Sequence, residues 1–500
     1  MILAEGASLL RTLKTQSFLL ICNNEVVVGD LTVNYLARSH WEASQKGRKQ
    51  SHSGDRRELS GRLHNLTYEG MSNIGRVRLR RGYNLAMNIA VIGAGPAGLM
   101  AAIQAAEGGG RITLFEHNPN IGRKLLVTGS SRCNLTNDAV NAAAYYCEDQ
   151  AWMETFLGVF GVEEFRRALD RLGIPTQKTD DGWYYPRSGS AQAVVEILGE
   201  GLAGRGVELR VATHVNQFYY RNNIFELEIT ALGLHQTEFF EQLVLAAGGK
   251  AYPELGSRGE LFGVLSNLGH QVRPLLPALG PIFADLGAFK ELKGQRFDVL
   301  ASIWRGEERL GQTAGNIIIN QDGFNGPGVM NLSHLVALHS GADLTLQVNF
   351  IAPFWSDLAD TLTGQVAHPC SLRAGLLRYF SPKAADFFIR QAMLDPAAKL
   401  NALTEEQIRQ LLEVSAEAKF SVTGAGSFRN SQVSVGGVPV GEVDPLSMES
   451  KLIPGLYLVG ETLDVAGPCG GFNLHFAFGS GYLAGTHLAG LQKQKSKERP

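Results

Sequence analysis

Cysteine is scarce in this chain: five in 500 residues (Cys22, Cys133, Cys147, Cys370 and Cys469), with no CxxC spacing. That excludes a disulfide framework and a paired-cysteine zinc site, so no metal is expected and the cytoplasm is the expected compartment. Long apolar runs are missing too. Nothing approaches the roughly 18 residues of a membrane span, and residues 17–22 are too short for the apolar core of a signal peptide, so no membrane association is expected. Charge of one sign is also missing, with 46 Lys+Arg against 48 Asp+Glu and a net of −2. What the chain has in plenty is glycine, 58 residues spread among apolar runs, with 44% hydrophobic residues overall. Such glycines mark tight turns in a globular enzyme rather than disorder, and the length suggests about two to four domains.

The charge is unevenly placed. Residues 1–86 hold thirteen Lys+Arg and seven Asp+Glu, a net of +6, which leaves −8 for the rest. This segment lacks sustained periodicity and carries a polar tract over residues 44–57. A basic arm that touches RNA competes here with sequence outside the working protein. The second is favoured, either an upstream start codon or a disordered extension, because Met87 stands one residue before the first strand expected of the fold.

That strand opens the most informative stretch, MNIAVIGAGPAGLMAAIQAAEGGGRITLFEHNPNIGRKLLVTGSSRCNLTND. An apolar run over residues 89–92 leads into Gly93-x-Gly95-x-x-Gly98 and a small-residue helix. A second apolar run, 112–115, ends in Glu116, 18 residues after Gly98. Gly93 permits the strand-to-helix turn, Gly95 lets backbone approach a pyrophosphate, and Gly98 lets helix and strand pack closely. The helix N-terminus favours phosphate, and a carboxylate at the end of the second strand can accept ribose hydroxyls. Strand, glycines, helix, strand and acid in this order predict a dinucleotide, FAD or NAD.

Further along, helices and strands alternate. Residues 151–172 read as helix, 182–187 as strand and turn, 190–202 as helix, and 207–211 and 224–230 as strands. Residues 243–249 read as a buried strand with a glycine exit. From Pro274 proline and glycine punctuate short alternating runs (299–304, 316–320, 344–350), which suggests a β-rich insert. Residues 369–414 are helical, with Thr404 a candidate cap ahead of IRQLLEV. Strand-like runs at 431–435 and 456–459 return to the nucleotide domain, and a glycine turn then opens a final helix. The expected organisation is an N-terminal extension (1–86), an FAD-domain first part (87–275), an insert (276–430; barrel-like over 276–350, helical over 369–415) and an FAD-domain second part (431–500). The other GxGxxG, Gly199 to Gly204, follows a helical pattern and reads as a helix end, so no second nucleotide domain is expected.

Five blocks carry a family resemblance: VIGAGPAGLMAA, GRKLLVTGSSRCNLTN, LVLAAGGKAYPELGSRGELFGVLSNLGH, FNGPGVMNLS and VGGVPVGEVDPLSMESKLIPGLYLVGETLDVAGPCGGFN. With these, residues 87 to about 488 resemble the BaiN/RdsA (YhiN-like) family of FAD-dependent oxidoreductases, also called aminoacetone-oxidase-like flavoproteins. The resemblance implies an α/β fold: a Rossmann-like, two-dinucleotide-binding FAD domain of the glutathione-reductase type, interrupted by a β-rich and helical insert. It implies FAD, with Gly93, Ala94, Gly95, Pro96, Ala97 and Gly98 at the pyrophosphate and Glu116 at the adenosine ribose. Arg123, Lys124 and Leu125 should neighbour the pyrophosphate or ribityl chain. Thr128, Gly129, Arg132 and Asn134 belong to a loop expected beside the isoalloxazine. Val215 should meet adenine, Ala247 and Gly248 should leave room for the cofactor, and Gly460 and Glu461 should meet the ribityl hydroxyls. Gly470, Gly471, Phe472 and Asn473 should surround the flavin pyrimidine ring. Where relatives often have Thr-His before GLSGP, this chain has Asn320-Gln321-Asp322-Gly-Phe-Asn325-Gly-Pro, and Cys469 stands where many have Thr. That puts the substrate side in question.

The chemistry implied is hydride transfer from flavin N5 to a polarised C=C bond, the cofactor carrying the hard step. The foremost substrate is uridine in 23S ribosomal RNA, giving dihydrouridine. Small enones, amine (aminoketone) oxidation and a non-catalytic ribosome-associated role are the alternatives. NAD(P)H is the expected reductant, docking transiently. Cys133 is the first candidate acid, a thiol beside Arg132, which would lower its pKa; His475 and Cys469 are reserves. Arg373, Arg378, Lys383, Arg390 and Lys399 could form a basic patch for RNA or merely a solvated helix face.

Overall fold

The computed structural model describes residues 19–22, 25–28, 86–362 and 370–497, and the chain divides into two compact units, Met1–Tyr83 and Asn84–Pro500. In the first unit the described residues form an antiparallel hairpin, Leu19–Cys22 against Glu25–Val28. The remaining expectations for residues 1–85 lie outside the described residues.

The second unit is organised by a five-stranded parallel sheet. Its order is Leu456–Leu458, Gln242–Leu245, Asn88–Ile92, Arg111–Phe115 and Glu208–Arg210. The central strand carries four consecutive buried residues, Ile89 to Ile92, as a strand covered on both faces must. The helix Pro96–Ala106 follows directly, with Pro96 in its first turn, where the missing N–H costs nothing. Three strands (Thr213–Arg221, Ile224–Ala231, Leu234–Phe240) form a separate antiparallel meander.

The 26-residue helix Phe472–Lys497 packs against Pro96–Ala106 along a face of small residues. A Cβ on Gly481 would lie 2.1 Å from the Ala97 carbonyl oxygen, and one on Gly485 2.4 Å from that of Ala101. Backbones this close leave no room for a methyl group. Gly481→Ala is therefore expected to destabilise the protein by about 1–3 kcal/mol, the usual cost of overpacking, read as a lowered denaturation midpoint.

Residues 282–425 contain a closed barrel of six strands, in the order Ile282–Ala284, Gly323–Asn325, Glu308–Ile319, Arg296–Arg305, Leu344–Asn349 and Ala418–Ala425. The last strand closes it and lies beyond the stretch expected to be barrel-like. Among the described residues four helices, Trp355–Leu362, Leu372–Leu376, Pro382–Gln391 and Glu405–Ser415, are threaded between the fifth and sixth strands; Thr404 and Gln407 form the capping box at the fourth. A phenylalanine cluster fills the barrel side, with Phe289 against Phe350, Phe387, Phe388 and Phe420. The barrel is tied to the parallel-sheet domain by a two-stranded antiparallel ribbon, Arg273–Ala278 with Val433–Gly437. The expected helix over 151–172 is two helices, Gln150–Val159 and Val162–Arg171, because Phe160 departs from helical dihedrals and Gly161 caps the second. Gly199–Gly204 is indeed a helix end, within and capping Ala191–Ala203. Among the described residues no helix is long and apolar enough to cross a membrane.

Candidate active site

A cavity of about 540 Å³, within the usual range for ligand sites, runs along the carboxyl ends of the parallel strands. The first glycine turn forms one wall. Gly93 has φ +100° and sits so close to the Gln242–Leu245 strand exit that a Cβ would lie 2.4 Å from the Ala246 carbonyl oxygen. Gly98 does not face the cavity: its Cβ would lie 1.9 Å from the Gly93 carbonyl oxygen, so its role is helix–strand packing. Gly95 is different. Nothing lies within 4 Å of where its Cβ would be, and it lines the cavity. No side chain caps the helix that starts there, which leaves its first-turn N–H groups for an anion.

Glu116 is buried at the end of the second strand. Its Oε2 accepts the Ala94 N–H at 2.9 Å, and its Oε1 accepts the backbone and side-chain N–H groups of Asn118, both at 2.8 Å. A carboxylate offers about four acceptor positions, so one oxygen keeps capacity for a hydroxyl. Arg123 donates to Asn118 Oδ1 at 2.6 Å and also lines the cavity. His117 and His214 face each other edge-on nearby, and His214 meets Glu260 at 2.9 Å. Burial pulls the His117 pKa below its ordinary value, opposed by the Glu116 carboxylate.

Midway along, Lys124 Nζ donates to Glu461 Oε1 at 2.8 Å. Glu461 follows the Leu456–Leu458 strand and is held by the Gly460 N–H, which donates to Ser480 Oγ at 2.9 Å. Two buried atoms in this cavity have no partner: Glu461 Oε2 and Asn134 Oδ1. Buried polar oxygens without a donor mark places where a ligand completes the hydrogen bonding. With the open Gly95 and the uncapped helix, they fit a dinucleotide with a polyhydroxylated chain.

The far end is the turn before the last helix. Asn473 staples it, with its Oδ1 accepting the Gly467 N–H and its Nδ2 donating to the Gly467 carbonyl, both at 2.8 Å. Gly470 has φ +117° and lies against the Trp183 indole. The Cys469 N–H donates to Asn331 Oδ1 at 2.8 Å, tying this turn to the barrel. From that side Leu279, Pro327, Met330, Gln432 and Val433 join the lining.

The cavity gathers every residue assigned above to the cofactor except Gly98, Arg132 and Phe472. Arg132 points away, its guanidinium 4.6 Å over the Tyr185 ring. Phe472 is packed in the core, its carbonyl accepting the Tyr145 hydroxyl at 2.9 Å.

The catalytic candidates need correction. Positive φ at Gly129, Ser130, Ser131 and Cys133 turns the Cys133 side chain into the core and that of its neighbour Asn134 into the cavity. Burial pushes the Cys133 thiol up to about 12, and Arg132 does not lower it. His475 is fully buried, bonded to Thr136 Oγ1 at 2.7 Å and to the Phe160 carbonyl at 2.9 Å, and its pKa is pulled down to about 4. It is a satisfied core histidine. Cys469 alone of the three lines the cavity, its thiol also pushed up to about 12 by burial. Asn320, Gln321 and Asp322 are exposed and outside the cavity; only Pro327 and Met330 of that region reach it. Of the five cations in the expected basic patch, Arg373 and Arg390 are neutralised by Asp386 and Glu291, and Arg378 lies over the Tyr379 ring. Sequence reasoning missed Trp183, Tyr252, Leu279, Gln432 and the 255–262 loop; Tyr252 and that loop lie inside the LVLAAGGKAYPELGSRGELFGVLSNLGH block, which gave neither of them a role.

Parallel sheet, glycine turn, buried acid at the end of the second strand and long cavity together define a Rossmann-type α/β protein with a site suited to a dinucleotide. Residues 87–487 match the family described as HI0933-like protein Rossmann domain, and the chain belongs to that family of FAD-dependent oxidoreductases. It is 31% identical over 408 residues to the 3-dehydro-bile acid delta(4,6)-reductase of Clostridium scindens, covering 80% of this chain and 98% of that protein. It is 26% identical over 399 residues to the ribosomal RNA dihydrouridine synthase of Escherichia coli K12, covering 80% and 97%. The same-named protein of Haemophilus influenzae is 26% identical over 402 residues, covering 80% and 98%.

Proposed function

We propose that this FAD-dependent oxidoreductase reduces a carbon–carbon double bond conjugated to a carbonyl group. The observation that carries the reading is the character of the cavity between the Gly470 turn and the barrel. Among the described residues there, Trp183, Leu279, Pro327, Met330, Val433 and Cys469 offer no charged side chain. An aminoketone would arrive as an ammonium ion and need a carboxylate, but Glu461 is already paired with Lys124. A neutral conjugated carbonyl needs neither. Reduced FAD held in this cavity would supply the hydride from flavin N5.

The chain's own residues do the rest. The helix starting at Pro96, with Arg123 and Lys124, holds the pyrophosphate, and Glu116 and Glu461 take ribose and ribityl hydroxyls. Gly470 and Gly471, held open by Asn473, present backbone N–H groups where negative charge develops. Cys469, a neutral thiol at the cavity wall, can give a proton to the substrate carbon. A small enone is favoured over an RNA uridine, because the wall is apolar and two of the insert's arginines, Arg373 and Arg390, are already paired with carboxylates. The reductant is a nicotinamide that docks transiently, since Gly199–Gly204 is a helix end and not a second nucleotide site.

The test is anaerobic reduction of the holoenzyme followed by reoxidation. 2-Cyclohexenone is expected to reoxidise the flavin faster than a uridine trinucleotide. Hydrogen peroxide formed from aminoacetone and oxygen, with both conjugated carbonyl compounds inert, would overturn the reading.

A further inference from the structure

Tyr252 stands out among the residues that line the cavity. It adopts φ 56°, ψ 60°, a left-handed conformation that a bulky side chain rarely takes, and Pro253 follows it. The conformation is held from several sides. The Tyr252 N–H donates to the Phe428 carbonyl at 2.8 Å and its own carbonyl accepts the Leu255 N–H at 2.9 Å; two residues earlier the Lys250 N–H donates to Ser434 Oγ at 3.1 Å. Relaxing Tyr252 to an extended conformation would redirect its side chain. Strain of this kind persists where the surroundings over-determine it, and it concentrates at functional sites.

The strained backbone carries a ring that lines the cavity, and its tie to the Phe428 carbonyl connects it to the barrel linker. Among the described residues of the lining Tyr252 is the one phenol. No described residue bonds to its hydroxyl, and burial alone raises its pKa, so it keeps its proton across the physiological range. A partly buried phenol without a partner is a donor waiting for an acceptor.

We propose that the Tyr252 hydroxyl donates a hydrogen bond to the carbonyl oxygen of the substrate, the oxygen conjugated to the double bond being reduced. The proposal rests on the C=C-reductase reading. An enone and a uracil ring share this acceptor, since both place a carbonyl oxygen at the end of the conjugated system. Charge builds on that oxygen as hydride adds at the far carbon, so the bond strengthens in the transition state and contributes more to rate than to binding.

The experiment compares wild-type holoenzyme with Tyr252→Phe and Tyr252→Gly. Binding of 2-cyclohexenone, and separately of a uridine trinucleotide, is followed by the absorbance change of the oxidised flavin. Reoxidation of the dithionite-reduced enzyme by each is followed in stopped flow. Tyr252→Phe is expected to load FAD normally, to bind the active compound about tenfold more weakly or less and to be reoxidised about 10²- to 10³-fold more slowly. Tyr252→Gly is expected to show at least the same loss in rate while gaining thermal stability, because it relieves the strain. The compound that shows the Tyr252-dependent loss identifies the source of the carbonyl. Wild-type turnover with Tyr252→Phe unchanged overturns the Tyr252 proposal and leaves the reductase reading standing. Tyr252-dependent binding without reoxidation of wild type overturns the reductase reading, and with it the Tyr252 role in reduction, leaving only a carbonyl-binding contact. If neither compound binds or reoxidises wild type, both fall.

Discussion

Gly95→Val should purify folded and colourless. The position has ordinary dihedrals, φ −81° and ψ −178°, and no neighbour within 4 Å of an added Cβ, so the apoprotein tolerates the side chain. The space it would fill is the part of the cavity at the uncapped helix start, where a pyrophosphate is proposed to bind. A branched side chain there blocks the approach of the pyrophosphate to the helix N-terminus, and FAD affinity is expected to drop about 100-fold or more, roughly 3 kcal/mol. Flavin absorbance of the purified protein, with circular dichroism and a melting curve, separates this outcome from unfolding. Gly98→Val is the contrast. Its Cβ would meet the Gly93 carbonyl oxygen at 1.9 Å, so the variant should fail to fold and not merely lose cofactor. A yellow Gly95→Val protein with normal FAD content would show that the pyrophosphate lies elsewhere.

Acid should destabilise the protein well before its carboxylates titrate, through His475. The ring is fully buried and neutral, with a folded pKa near 4 against an ordinary value of 6.5. Between those values the unfolded chain binds a proton that the folded state refuses. The stabilisation is therefore complete above pH 6.5 and is lost progressively as pH falls toward 4, on the order of 3 kcal/mol in all. His334, also pulled down to about 4 by burial, acts in the same direction. Urea midpoints measured at neutral pH and near pH 5 should fall steeply for wild type and less for His475→Gln. Equal falls in both proteins would show that other groups set the acid response.

Local signals made the nucleotide half of this molecule legible. Asn88–Ile92, the three glycines, the helix and Glu116 are consecutive, and each has its role within a turn or two of its neighbours. The cavity's far end was legible only through resemblance to a family. Cys133 was misread because it was placed by its loop and its neighbour Arg132, and neither shows that the positive φ values of Ser130, Ser131 and Cys133 leave its side chain in the core. The barrel's closing strand, Ala418–Ala425, was missed because 68 residues separate it from the Leu344–Asn349 strand it pairs with. The single helix expected over 151–172 failed at Phe160-Gly161, where apolar periodicity continues although the backbone breaks. Tyr252 could not be recognised as facing a ligand without its neighbour Phe428, 176 positions away.

The six barrel strands are all present once residue 425 has been made, but the parallel sheet still lacks Leu456–Leu458 and the helix Phe472–Lys497. Synthesis proceeds from the N-terminus, and domains tend to fold as their residues emerge. The insert can therefore mature on the ribosome while the strand Asn88–Ile92, made much earlier, waits with one side of its sheet incomplete. Glu461 and the Gly470 turn are made only after the barrel strands, so a cavity that needs them can hold a flavin only once the insert has been synthesised.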